Sequence, residues 1–144
     1  MRRLILVGLG LVVAAGVVLG CGSSEDETAS TPLTKAQFVK QANAICEERG
    51  KERQDKFASW EQQSSDFDAG LKKVIVPSVR QEVEELEALS PPAKDEAKVS
   101  KMIENLSEVA DAIEKEGAEG ISGSGLSDFE RETEAYGLDV CSIT

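Results

Sequence analysis

Five apolar residues, Val99, Met102, Leu106, Val109 and Ile113, recur at intervals of 3, 4, 3 and 4. An α-helix turns once in about 3.6 residues, so this spacing sets all five on one stripe that has to be buried against other helices. The pattern predicts a helix from about Asp95 to Glu116 that acts as a bundle seam, with Gly117 as its C-terminal stop. A second periodic run, Leu71, Ile75, Val79, Val83 and Leu86, predicts a helix over about Phe67 to Leu89, kinked at Pro77 and stopped by Ser90-Pro91-Pro92. A further helix begins at Leu33-Thr34-Lys35-Ala36-Gln37-Phe38, where Thr34 and Gln37 form a capping box and Leu33 and Phe38 a hydrophobic staple. Its stripe runs Phe38, Ala42, Ile45 and Cys46, lapses through Arg49, Gly50 and Arg53, and returns at Phe57 and Trp60. The lapse leaves room for a break near Gly50.

After Gly117 the string GAEGISGSGLSD reads as a flexible loop by composition. Ser127-Asp128-Phe129-Glu130 is a second capping box, opening a short helix through Phe129, Thr133 and Tyr136 that ends at Gly137. No alternating strand pattern competes. The expected fold is therefore all-α, a small bundle of three long helices plus a short C-terminal one.

Ahead of this domain the chain has the three parts of a secretory signal: Arg2 and Arg3, an apolar core from Leu4 to Leu19, and the small Gly20. The core is short of the about 20 apolar residues a membrane span needs and is interrupted by Gly8, Gly10 and Gly16. Val18-Leu19-Gly20-Cys21 resembles the lipobox of bacterial lipoproteins. That resemblance implies that residues 1–20 are removed and that Cys21 becomes the first residue, diacylated on sulfur; the alternative is an ordinary signal peptide cut near Gly20, with Cys21 a spectator thiol. Two acyl chains, at about 0.8 kcal/mol per buried methylene, anchor stably where one is marginal. Residues 21–33 carry few apolar groups and read as a lipidated cysteine and flexible tether with a reach of about 20 Å. Residues 34–144 form the helical domain, at an extracytoplasmic membrane face.

Acidic residues number 27 against 16 Lys and Arg, for a net charge of −11, and two of those basic residues lie in the signal segment. Nucleic acid and anionic lipid surfaces, which need a positive face, are disfavoured. The partners this leaves are the membrane, through the N-terminal lipid, and a cell-envelope protein or cationic ligand.

Cys46 and Cys141 remain once Cys21 is set aside. In an exported chain an even pair reads as a disulfide, and closing about 95 residues would stabilise the fold by roughly 4 to 5 kcal/mol in the chain-entropy model. The alternative is two unrelated buried thiols. The strings TKAQFVKQANAICEERG, LEALSPPAKDEAKV and YGLDVC are similar to small exported proteins of actinobacteria. The resemblance implies a helical domain with Cys46 paired to Cys141, no assigned activity, and anchorage on the outer face of a cytoplasmic membrane.

Candidate chemistry is sparse. The chain has no histidine, which removes the commonest general base and transition-metal ligand. Asp66 to Gly70, DFDAG, resembles the start of a calcium loop, but Gly70, Leu71 and Pro77 stand at positions five, six and twelve, so an EF-hand is rejected. Asn105-Leu106-Ser107 matches a glycosylation sequon by chance in mid-helix. Glu82, Glu84, Glu85 and Glu87 read as a solvated acidic face that could also attract a cation. Arg49 and Arg53, one turn apart, could clamp a carboxylate or phosphate, or else snorkel or pair with Glu residues. No catalytic residue, metal site or cofactor is expected. The expected function is a non-catalytic binding or protein-interaction domain; the alternative is a carboxylate-dependent cell-envelope enzyme such as a glycan hydrolase.

Overall fold

The computed structural model describes residues 31–143 apart from residue 123. The signal segment, Cys21 and most of the tether lie outside the described residues. The described chain is all-helical: α1 (Lys35–Glu61), α2 (Phe67–Gly70), a π-helical turn (Leu71–Ile75), α3 (Val76–Glu87), α4 (Glu96–Glu116), α5 (Ala118–Ile121) and α6 (Ser124–Tyr136). No strand occurs among the described residues. The three long helices are α1, the run from α2 through the π turn to α3, and α4; α6 is the shorter C-terminal helix.

The seam read from the sequence is the middle of the core. Val99, Met102, Leu106, Val109 and Ile113 are all buried on α4, which packs on α3, α5 and α6. Leu71, Ile75, Val79, Val83 and Leu86 are buried from the neighbouring helix, and Phe38, Ala42 and Cys46 from α1. α1 starts as its cap dictates: the Gln37 N–H donates to Thr34 Oγ1, and the Thr34 N–H donates back to Gln37 Oε1 at 3.0 Å. Leu33, placed at the end of the tether by sequence, packs against the core, and its N–H donates to the Ser90 carbonyl at 2.9 Å. Leu33 thus belongs to the folded domain.

Four local readings are corrected. α1 runs unbroken through Gly50, because helix packing on both sides outweighs the about 1 kcal/mol that one glycine costs. The irregularity assigned to Pro77 lies on its N-terminal side, where the Val76 N–H reaches back to the Leu71 carbonyl and widens the turn. Proline has no N–H and crowds the preceding turn, and the wider turn accommodates both. Thirdly, the segment after Gly117 is helical rather than a loop. A Cβ on Gly120 would sit 2.4 Å from the Ala112 carbonyl carbon and oxygen, so glycine here permits close approach of α5 to α4. Gly117, at φ 65°, makes the reversal. Helix α6 likewise begins at Ser124, which places the expected capping box at Ser127 inside it.

The asparates of the DFDAG string act as caps. Asp66 Oδ1 accepts the Ala69 N–H at 2.9 Å, and Asp68 Oδ1 accepts the Ala118 N–H at 3.0 Å, tying α2 to α5.

Candidate functional site

The chain beyond α6 turns back onto α1 and closes the bundle. Asn43 Nδ2 donates to the Gly137 carbonyl at 3.1 Å, and Cys46 and Cys141 are joined in a disulfide with Cα atoms 4.9 Å apart. That separation is ordinary for the bond. Leu138 and Ile143 are buried on either side of it.

Next to the disulfide the second half of α1, the π turn and this terminal segment enclose a cleft of about 470 Å³. Its floor is apolar: Phe57 from α1, Leu71 and Ile75 from the π turn, and Ile143 from the terminus. Phe57 and Phe67 meet edge to face with centroids 5.5 Å apart. Among the described residues the exposed large apolar side chains are Phe67, at 49% exposure, and Val140, at 46%, and both line this cleft.

Gly50 also lines the cleft, and nothing lies within 4 Å of where its Cβ would be. No close contact therefore requires glycine at this position. Its effect is to leave the α1 side of the cleft open.

Arg53 is 3% exposed at the boundary between cleft and core. Its Nη1 donates to Glu82 Oε2 at 2.7 Å and its Nη2 to the Ser142 carbonyl at 2.9 Å, so one guanidinium joins α1, α3 and the terminal segment. Burial pushes the Glu82 carboxyl above its ordinary pKa, and the charge and hydrogen bond of Arg53 oppose that rise. Arg49 lies one turn away and engages different acids: Nε donates to Glu85 Oε2 at 3.0 Å, and Nη1 pairs with Glu52. The structure therefore places the two arginines at separate internal carboxylates, Arg53 at the cleft and Arg49 outside it.

The acidic face expected on α3 divides accordingly. Glu82 is in the core, at 1% exposure, as the partner of Arg53; Glu85 is partly buried with Arg49, and Glu84 and Glu87 are exposed. The sequence carried a signal for this: acids spaced by three on α3 answer arginines spaced by four on α1, so both pairs can meet if the helices cross there. Asn105 of the chance sequon is buried, with Nδ2 donating to Glu132 Oε2 at 2.9 Å.

The Cys46 and Cys141 sulfurs and a Glu82 oxygen lie within 4.8 Å of one another. With the sulfurs bonded together they present no thiolate, so this trio is not a metal site. A second, more polar groove runs along the other flank of α1, where Lys73 Nζ lies 5.1 Å from the centroid of the Trp60 ring.

Comparison of the chain with models of known families, with curated proteins and with solved structures finds no match. Among the described residues no helix is long and apolar enough to cross a membrane.

Proposed function

We propose that the protein is a lipoprotein anchored at an extracytoplasmic membrane face through Cys21, and that its helical domain works by binding, with the cleft beside the disulfide as its site. The observation that carries the binding reading is the convergence of Phe67 and Val140 on one concavity of a domain whose surface is otherwise heavily charged. Exposed apolar side chains gathered in one concave place mark a binding site far more often than scattered ones do. The lipobox-like Val18-Leu19-Gly20-Cys21 supports the anchor.

A glycan hydrolase is less well supported. Its chemistry takes two carboxylates flanking the bond to be cut. The cleft lining contributes one, Glu47, which is engaged with Lys51 at 2.6 Å.

Fractionation of producing cells, followed by intact mass of the extracted protein, tests the anchor. The expected product sediments with membranes and begins at an acylated Cys21, whereas Cys21→Ser yields soluble protein or an uncleaved precursor. A mature chain that starts elsewhere or carries no acyl mass overturns it.

A further inference from the structure

We infer that the cleft holds the apolar chain of a neutral amphiphile, a lipid of the monoalkyl- or monoacylglycerol type, with its uncharged head at the α1 rim. This rests on the reading of the cleft as the binding site and adds the class of ligand.

Size decides first between a small molecule and a protein. A stable protein interface needs about 800 Å² from each partner, largely flat. Here two half-exposed side chains stand at the mouth of a concavity of about 470 Å³, inside the range of about 300–1,000 Å³ usual for small-molecule sites. An apolar chain fits the floor formed by Phe57, Leu71, Ile75 and Ile143.

Charge decides the head. The two cations lining the cleft are each matched to an acid, Arg53 to Glu82 and Lys51 to Glu47. An anionic head would compete with Glu47 and Glu82 for these cations, in a chain whose net charge of −11 already repels anions. A cationic head would meet no unmatched carboxylate in the lining. Hydroxyl groups, which both donate and accept, suit the paired ions and the Gln54 amide at the rim.

Gly50 supplies the test. The Cβ of a leucine there meets nothing within 4 Å, so its side chain should extend into the open space along the cleft, and leucine is a better helix former than glycine. Gly50→Leu should therefore block the site while holding or raising Tm, so that loss of binding cannot be read as loss of fold.

The purified full chain, from the membrane or the soluble fraction, would be incubated with an ether-linked monoalkylglycerol bearing a diazirine and an alkyne, irradiated, and the labelled peptides mapped. Label is expected on the α1, π-turn and terminal residues of the cleft, falling about tenfold or more in Gly50→Leu. A carboxylate of the same chain length and the same photo-group should label about tenfold less. Label spread over the outer helix faces, label unchanged in Gly50→Leu, or equal labelling by the carboxylate would each overturn the inference. The labelling is read whether or not Cys21 is acylated, so failure of the anchor and failure of the ligand assignment give separate results.

Discussion

Arg53 sits where core and cleft meet, and its pairing with Glu82 sets what mutation there will do. Removing one member of a buried pair leaves the other charged and unsolvated, at a cost of about 3–5 kcal/mol, whereas replacing both by apolar residues of similar volume is often neutral or better. Arg53→Met alone should therefore destabilise by that amount in urea unfolding. Arg53→Met with Glu82→Leu should return to within about 2 kcal/mol of wild type. The single variant should also recover stability as pH falls, because protonation of Glu82, whose carboxyl is already raised by burial, removes the orphaned charge. Tyr136 gives a second pH signature. Its hydroxyl donates to Asp95 Oδ2 at 3.0 Å, and burial, then that hydrogen bond and the Asp95 charge, push the phenol up to about 12 from 10.0. The folded state thus favours the protonated phenol: the stabilisation is complete below pH 10 and is lost as pH rises from 10 toward 12. The advantage of wild type over Tyr136→Phe should shrink across that window by about 2 to 3 kcal/mol. A constant difference in chemical unfolding at pH 9 and pH 12 would contradict the assignment.

At the scale of elements, the terminal segment depends on the disulfide. The described residues beyond α6 form no helix, and the ties that hold them to the bundle include the Cys46–Cys141 bond, the Asn43 hydrogen bond to the Gly137 carbonyl, the Arg53 hydrogen bond to the Ser142 carbonyl, and buried Leu138 and Ile143. Reduction, or Cys46→Ser with Cys141→Ser, should lower Tm by about 15 °C or more on the chain-entropy figure for a loop of this length. Helix content by circular dichroism should stay largely intact at low temperature, while backbone amides of the terminal segment exchange fastest. The existence and facing of the long helices were legible, because a 3.6-residue period is written in neighbouring residues. The stripe of α4 and the start of α1 at Thr34 follow from sequence alone. Three features were not legible. The string after Gly117 has the composition of a loop, yet Gly120 serves a close contact with Ala112; Gly50 reads as a breaker, yet opens a cleft; Pro77 reads as a kink, yet is accommodated by the turn before it. Gly120 takes its role from α4 and Gly50 from the elements that line the cleft, whereas Pro77 is accommodated by its own preceding turn.

Among the described residues, the fold is a bundle in which α4 lies against α3, α5 and α6, while α1 packs on α3 and the π turn and is joined to the end of α6 and the segment beyond it by Asn43, Cys46 and the ring contact of Phe38 with Tyr136 at 6.1 Å. The terminal segment closes a ring of elements, and the cleft is the gap left where that closure meets the π turn. By itself the sequence determined the all-α class, the three long helices with their buried faces, the short C-terminal helix, and the pairing of Cys46 with Cys141. Periodicity, capping residues and a count of cysteines are local or compositional properties, and they act whatever the rest of the chain does. Only the tertiary structure decided that Arg53 is buried against Glu82, 29 positions away, that Asp68 caps a helix 50 positions on, and that Phe67 and Val140 share one concavity. Each of these depends on the crossing of helices and the path of the chain end. An isolated charge, cap or exposed apolar side chain has the same local chemistry before those elements meet, and acquires its role from what they bring beside it.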